Sequence, residues 1–345
     1  MKTRSQILFF FSLILGGCFA HAQVTLTGGK GILRLYEAES VTAGDFYVNP
    51  YASFYATPRQ DTDINILAKD NTLNLGLTLG ISRVFETFIH FTPYQTDQVN
   101  LWGAPGDSKV GLKANIPAAR VSQFGVLTFL DIPTGDVHPV PYEPFSENNY
   151  GYAIIGLVSF DLRKAASPLP LKAIVNLGYR SHNSSKGFMS GDTDQLVGGL
   201  GLKWAIKSSQ LYTEISGEVF TNNPAVNFSQ NSLRWSGGYK FLLRGGIIFD
   251  IATDIELGGY KPTEAEIDQT PRFFEDYADW KVILGLTYRW TFFPNWDKQR
   301  QTRLKQKQQQ EKDEEKIREQ REKVIEELEE YQKRLQDEKK KNVPF

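Results

Sequence analysis

The chain has 345 residues, of which 13% are aromatic, 29 are Gly and 41% are hydrophobic. Beyond the N-terminus no apolar run approaches the ~18 residues that a membrane-spanning helix needs, which excludes a helical membrane protein. The formal net charge of -1 argues against nucleic acid as a partner.

Residues 1–22 have the pattern of a secretory signal peptide. A basic start and the apolar run 7–15 are followed by the small residues Ala20 and Ala22, which mark a cleavage site. The alternative is lipoprotein processing at Cys18. Because Cys18 is the only cysteine, cleavage after Ala22 leaves no disulfide, thiolate nucleophile or Cys-bound zinc in the mature chain. We expect cleavage after Ala22.

Residues 23–44 precede the first clear strand and include the Gly-rich segment 28–38. Its apolar residues Ile32, Leu33 and Leu35 do not fit an even number of strands. Three alternatives stay open for this segment: a thirteenth strand, a plug inside a barrel, or a periplasmic lead-in.

Residues 45–293 divide into twelve segments in which apolar and polar residues alternate. In the clearest one, 71–81, Leu and Ile alternate with Asn, Gly and Thr. Large apolar groups on one face and small or polar groups on the other suit a strand between lipid and water. The predicted segments are 45–57, 71–81, 84–93, 108–116, 120–132, 150–162, 168–180, 194–206, 209–221, 232–242, 246–258 and 279–292.

The connections between these segments alternate between short and long. Bacterial outer-membrane barrels have an even strand number, tight periplasmic turns and longer outer loops. The pattern therefore predicts an all-β transmembrane barrel of about 12 antiparallel strands, in the outer membrane, with both termini in the periplasm. The alternative is a soluble β-sandwich or propeller, which is not expected to sort its connections in this way.

Four short motifs carry a resemblance to a known group: Gly28–Arg34 (GGKGILR), Leu77–Ser82 (LTLGIS), Gly106–Lys113 (GDSKVGLK) and Leu284–Trp290 (LGLTYRW). They resemble the outer-membrane barrel proteins grouped with the meta-pathway phenol-degradation transporters. The resemblance covers 28–292 and implies an outer-membrane barrel that passes small, apolar molecules. It carries over no binding residues.

The last predicted strand also resembles the signal that the barrel assembly machinery reads, with Gly285, Tyr288 and Trp290 at the expected spacing. Here the signal is internal rather than C-terminal, and Ile283 stands where a polar residue is usual. The resemblance implies outer-membrane lipid and the barrel assembly machinery as partners.

Charged residues on the inward face change sign from strand to strand in the C-terminal half. Opposite charges on adjacent strands attract, so these residues form a predicted ladder of lumen charges. One interpretation is that the pairs hold the wall together and fill the interior; the other is a constriction that selects solutes. The ladder consists of Lys203, Glu214, Glu218, Arg234, Lys240, Asp250, Asp254, Glu256 and Arg289.

Nothing in the sequence indicates an enzyme. His90 and Glu86 share an inward face but lie four residues apart, or about 13 Å at ~3.3 Å per residue, too far for a nucleophile and base to act together. Asp131, Asp136 and Glu143 lack calcium-loop spacing, so a solvated loop is expected there. We predict no metal and no cofactor.

Residues 297–342 are almost entirely Lys, Arg, Glu, Asp and Gln, without Gly or Pro, which favours one long helix. At ~1.5 Å per residue it would extend about 65 Å into the periplasm. Its apolar seam is shorter than three heptads, so a solitary charged helix and a self-associating coiled coil both stay open. The seam consists of Ile317, Val324, Leu328, Tyr331 and Leu335.

The sequence thus predicts a passive outer-membrane channel for small solutes. The alternative is a structural barrel with a closed lumen, whose C-terminal helix tethers the envelope or recruits a periplasmic partner.

Overall fold

The structure is a computed structural model with two compact units, 1–292 and 293–345. It describes residues 23–60, 65–95, 104–117, 120–135, 146–206, 208–223, 228, 231–258, 280–292, 302, 306 and 309. The predicted signal peptide lies outside the described residues. So does the predicted helix seam, which comprises Ile317, Val324, Leu328, Tyr331 and Leu335. Among the described residues no helix is long and apolar enough to cross a membrane.

Twelve strands, numbered in chain order, make up the first unit. They are β1 Asp45–Gln60, β2 Asn65–Gly80, β3 Phe85–Gln95, β4 Ser108–Pro117, β5 Ser122–Ile132, β6 Gly151–Asp161, β7 Leu171–Ser181, β8 Gln195–Ile206, β9 Ser209–Phe220, β10 Ser232–Leu242, β11 Ile247–Glu256 and β12 Trp280–Thr291. Short 3₁₀ turns occupy Leu162–Lys164 and Arg244–Gly246.

The sheet is a closed antiparallel barrel in which every strand pairs with its neighbour in sequence and β12 pairs with β1. The closing pair runs from Asp45 opposite Thr291 to Phe54 opposite Val282. Closure gives each strand two partners, which removes the unpaired edge that an open sheet would expose. The prediction of a closed 12-strand barrel is confirmed.

The outer face of the barrel is apolar, whereas the inner face is mainly polar. Leu130, Leu177 and Leu200 on the outer face are 59%, 69% and 61% exposed. Exposed leucines in a broad band are costly in water but favourable against hydrocarbon. The outer face is therefore suited to lipid.

We call the end of the barrel at 81–84 and 243–246 the turn end, and the opposite end the loop end. β1 begins and β12 finishes at the turn end, where Asp45 lies opposite Thr291. The predicted strand bounds agree with the observed ones to within three residues for eleven strands, and β2 begins six residues earlier than predicted.

The first connection is the exception. It was predicted to be long, but β1 and β2 continue as a paired hairpin from Phe54 opposite Asn71 to Gln60 opposite Asn65. This extension lacks apolar alternation, so the sequence pattern missed it. Pro58 of β1 has no backbone N–H to donate. The described pairs of β1 with β12 stop at Phe54, so Pro58 removes no hydrogen bond between these two strands and is tolerated.

Residues 23–44 form a compact segment that we call the plug. Gly28 and Gly29 turn the chain with φ of +90° and +79°, a region that favours glycine. Isolated bridges join Val24 to Lys30 and Gly31 to Tyr36. The plug therefore pairs with itself rather than adding a thirteenth strand to the sheet.

The plug lies inside the lumen. Ile32, Leu33 and Leu35 are buried together with inward side chains from several strands, including Tyr51 and Tyr212. A second apolar cluster joins the plug residues Tyr36 and Ala38 to Phe88, Leu127 and other wall residues. Of the three alternatives for this segment, the contacts agree with the plug.

Inward glycines make room for these buried groups. A Cβ built on Gly201 would lie 2.6 Å from Ile32 Cδ1, and one on Gly199 would lie 2.9 Å from Leu35 Cδ2. A Cβ on Gly285 would lie 2.1 Å from Tyr51 Cε1. Bare backbone at inward glycines leaves room, and from the sequence alone this pattern favours a hollow lumen. That interpretation is wrong for this half of the barrel, because side chains fill the space.

Candidate functional site

The plug is held by an ionic cluster that we call the anchor: Lys30, Glu37 and Glu39 of the plug with Lys164, Lys172 and Lys203 of the wall. Lys172 Nζ lies 2.6 Å from both Glu37 Oε2 and Glu39 Oε2. Lys203 also donates to Glu37, and Lys164 Nζ lies 3.2 Å from Glu39 Oε1. Glu37 is fully buried, so its negative charge is compensated by its lysine partners rather than by water.

The charge of these lysines controls the ionisation of both plug carboxylates. Burial alone would raise the pKa of Glu37, but Lys172 and Lys203 outweigh it and hold the pKa well below its ordinary value. At Glu39 burial again raises the pKa, whereas Lys30 and Lys172 lower it. The net result is a lowered pKa for Glu39 as well. Both groups stay ionised in the closed barrel.

We therefore expect acid to release the plug only at low pH. A carboxylate with a lowered pKa contributes its full stability above its unfolded pKa of ~4.3 and loses it as the pH falls below that value. The free energy that Glu37 and Glu39 contribute should not change between about pH 7 and pH 5 and should fall below about pH 4, which thermal unfolding of the detergent-solubilised barrel at a series of pH values can check. Stability that does not fall below about pH 4 would contradict the anchor.

A second seat for the plug, meaning a group of wall residues that bind it, lies on β9 and β10. Glu214 accepts the backbone N–H groups of Leu33, Arg34 and Leu35 at 3.4, 2.9 and 3.3 Å. Lys240 Nζ donates to Ile32 O at 2.8 Å and to Val24 O at 3.2 Å. One anion and one cation of the wall thus satisfy backbone groups that would otherwise be buried without partners.

A third seat lies on β3 and β4, across the barrel from the second. Glu86 accepts the N–H groups of Lys30 at 2.8 Å and Val41 at 2.6 Å, and it forms a 2.6 Å ion pair with Lys113. Lys113 Nζ in turn donates to Glu37 O at 3.0 Å. The plug therefore forms hydrogen bonds and ion pairs with opposite sides of the barrel wall.

The predicted charge ladder divides between two roles. Lys203, Glu214 and Lys240 contact the plug. Lys240 also pairs with Asp250 at 3.1 Å on the adjacent strand.

The other ladder residues pair with wall or plug groups. Arg234 contacts Asp254 at 2.5 Å and Glu256 at 2.8 Å. Asp254 also accepts from Arg34 of the plug at 2.9 Å. The remaining ladder pairs are Glu218 with Arg180 at 3.5 Å and Arg289 with Asp45 at 3.0 Å.

Sequence reasoning missed the plug's own charges and the cations of β4 and β7. Glu37, Lys113, Lys172 and Arg180 belong to the buried network, yet the ladder was sought only in the C-terminal half. The sequence could have predicted that these wall residues point inward, because Lys172 and Arg180 lie on the same face of one alternating strand. It could not have predicted the partner of Lys172, because Glu37 lies far away in sequence.

On the loop-end side of the plug the lumen contains a chamber with two lobes of about 120 and 130 Å³. Leu26, Thr27 and Arg34 of the plug form part of both lobes, as do Lys109, Arg180 and Glu218 of the wall. Each lobe has room for several waters or part of a small solute.

The side chains considered for catalysis have other partners. His90 Nε2 lies 2.9 Å from Asn74 Oδ1, and Glu86 is engaged by Lys113 and the plug. Of the three candidate loop acids, Asp131 pairs with Arg180 at 3.0 Å, while Asp136 and Glu143 lie outside the described residues. In the described part of the chain, no group of three His, Cys, Asp or Glu side chains is placed to hold a metal ion.

The residues of the predicted assembly signal lie on both faces of β12. Gly285 faces Tyr51 inside the barrel, while Tyr288 and Trp290 are exposed on the outer face. Recognition of this strand by the assembly machinery stays a prediction.

Aromatic residues toward the ends of predicted strands resemble the interfacial girdle of a membrane barrel, and this resemblance predicts Tyr47, Tyr51 and Tyr55 of β1 at the membrane interface. All three are instead buried. Tyr51 OH donates to Asp250 at 2.9 Å, as does Tyr212 OH. Alternation in β1 is ambiguous because both faces carry large residues.

Comparisons with known proteins address the fold. No protein-family model and no curated protein matches the chain. An outer membrane channel from Pseudomonas putida F1 is similar in structure, with TM-score 0.50 and 10% identity, covering 75% of this chain and 100% of the channel.

Two further structures have lower scores. A KdgM porin has TM-score 0.44 and 6% identity over 70% of this chain and 98% of its own, and the CymD monoaromatic hydrocarbon channel has TM-score 0.37 and 6% identity over 73% and 89%. The similarity to the Pseudomonas putida F1 channel shows a closed barrel like that of an outer-membrane channel, in agreement with the resemblance seen in the sequence of this chain.

Proposed function

We propose that the protein is an outer-membrane channel for small solutes and that the plug closes it at the turn end. The observation that carries the proposal is the division of the lumen into a filled half and a chamber. Tight turns face the periplasm in outer-membrane barrels, so the turn end is assigned to the periplasm and the chamber faces outward.

The contacts of the plug suit a movable closure. The wall meets the plug through side chains such as Glu86, Glu214 and Lys240, and every strand keeps its two neighbours without it. Water can solvate these charged groups when the plug leaves, so departure does not require the sheet to open. A twelve-strand barrel is also wider than the eight-strand barrels that side chains alone can fill.

A reversible disulfide between plug and wall tests the proposal. Ala38 N donates to Ser159 Oγ at 2.9 Å, so the variant Ala38→Cys/Ser159→Cys brings two thiols within reach. In planar bilayers the oxidised barrel should be silent, and reduction should restore unitary currents like those of the unmodified protein. The single variant Ala38→Cys is the control for oxidant and should conduct in both states.

Persistent current through the fully oxidised barrel would show that the plug is not the gate. The second candidate is a structural barrel with a closed lumen, which the buried ion pairs favour. Its predicted tether, 297–342, lies outside the described residues apart from 302, 306 and 309. An inserted barrel that is silent after reduction, and also silent when the anchor is broken by Glu37→Gln, supports this second candidate.

A further inference from the structure

The 182–194 connection, between β7 and β8 at the loop end, folds over the outer face of the barrel. Tyr179 of β7 shows this, because it shares a face with Leu177, which is exposed on the outside. Its partners on the adjacent strands, Ile154 of β6 and Leu196 of β8, are exposed on the same face. Tyr179 itself is nonetheless buried, because the connection covers it.

The tip of this connection, residues 187–189, is held on the Tyr179 side chain. The centroid of the Phe188 ring lies 4.4 Å from that of Tyr179, and Met189 N donates to Tyr179 OH at 3.0 Å. Asn222, from the next connection at this end, donates its Nδ2 to Met189 O at 2.7 Å. Both backbone groups of Met189 are therefore bound by side chains.

These bonds fix the tip in a conformation that exposes apolar groups. Met189 has φ of +55°, a value that residues other than glycine rarely adopt, and such a conformation persists only where its surroundings fix it. The side chains of Phe188 and Met189 stay 64% and 48% exposed. The fixed turn therefore presents two adjacent apolar side chains to the medium that surrounds the outer face.

The rest of the connection is polar. Lys186 pairs with Asp192, Ser185 Oγ donates to Asn183 Oδ1 at 2.6 Å, and the first three of these side chains are exposed. Of the described residues that line the chamber, none belongs to 183–193. An apolar tip beside a charged base is typical of a segment at the boundary between hydrocarbon and water.

We propose that Phe188 and Met189 dock into the hydrocarbon of the lipid leaflet around the loop end, with Tyr179 as their support on the wall. Lipid is the occupant because Leu177 and Leu196 continue the apolar outer face directly beside Tyr179. Docking holds the connection at the side of the barrel, away from the chamber. The inference goes beyond the proposed function, because it needs an inserted barrel but no conduction.

Fluorescence of single-cysteine variants tests the proposal. Each variant is made in a Cys18→Ser background, because Cys18 is the only cysteine, and is labelled with an environment-sensitive fluorophore. The full-length protein is reconstituted in phosphatidylcholine vesicles, with or without lipids that carry a nitroxide quencher on the acyl chain. The Met189→Cys label should be quenched by these lipids about as strongly as the Leu177→Cys label, which marks the outer face. It should be quenched several-fold more than the Ser185→Cys label, which aqueous iodide should quench instead.

A second variant tests the support. Tyr179→Ala removes the ring and the hydroxyl that hold the tip, so adding it to Met189→Cys should lower lipid quenching toward the Ser185→Cys level. Tyr179→Phe keeps the ring and should lower it less. The matched control is Trp204→Ala, which removes an exposed ring from the outer face of β8 near the turn end and should leave the quenching unchanged. Heat-modifiable migration in gels shows that each variant is folded.

A Met189→Cys label that iodide quenches and lipid does not, while Leu177→Cys still meets lipid, would overturn the proposal. A label that neither quencher reaches would overturn it as well, because such protection indicates a second copy of the chain or another protein on the tip. Lipid quenching that survives Tyr179→Ala would remove Tyr179 as the support. Because fluorescence requires no current, a silent barrel whose tip meets lipid loses the proposed function and retains this inference.

Discussion

Glu37→Gln is expected to release the plug and open the barrel. The substitution keeps the shape of the side chain but removes the charge that Lys172 and Lys203 face in a buried position. Removing one partner of a buried ion pair typically costs about 3–5 kcal/mol. The equilibrium constant between the closed and the open state should therefore shift toward the open state by on the order of a hundredfold or more. This shift should be visible as long-lived openings in planar bilayers.

The matched control is Lys164→Gln, which removes a lysine from the same anchor at an exposed position. Its pair with Glu39 is partly solvated, so its loss should cost at most about 1 kcal/mol. Adding Lys203→Met to Glu37→Gln should restore closure in part, because it removes the cation that lost its partner. Equal openings in Glu37→Gln and Lys164→Gln would show that buried charge does not hold the plug.

Gly201→Val should also destabilise the plug inside the lumen, by steric means. Its Cβ would lie 2.6 Å from Ile32 Cδ1 and 3.1 Å from Leu35 Cδ1, and Ile32 is fully buried. Overpacking of a filled core typically costs about 1–3 kcal/mol, and here the plug can escape the strain by leaving. Openings should be more frequent than in the unmodified barrel but shorter than in Glu37→Gln.

Gly156→Val is the matched control on the other face of the wall. The nearest atom to its Cβ is Leu177 O at 3.5 Å, so the side chain meets no obstacle and faces lipid. Both variants should retain the heat-modifiable migration of a folded barrel in gels. If Gly201→Val stays as closed as Gly156→Val, then Ile32 and Leu35 do not require that space.

Much of the barrel was predictable because alternation is a local property. In β10 and β12 the side chains take the faces that the pattern assigns, and β10 has the predicted bounds 232–242. The prediction was wrong where both faces carry large residues, as at Tyr47 and Tyr51. It was also wrong for the β1–β2 hairpin, whose pairing continues through residues without alternation.

The candidate site was predictable only in part. The alternating pattern assigns Lys203, Glu214 and Lys240 to the lumen, and each points there. It gives no partner for them, since Glu37 and the backbone of 32–35 approach from a segment that is distant in sequence. The chamber was not foreseen, because its two lobes are the space left by the plug and depend on how far that segment fills the lumen.

The sequence by itself determined the closed sheet and its two chemical faces, since a period of two along each strand fixes which side chains meet lipid. Only the tertiary structure decided what the inward charges do. Charge sign and face can be assigned one strand at a time, but an ion pair requires two groups at one place. For Glu37 with Lys172 and Lys203, that place exists only once the plug lies inside the barrel.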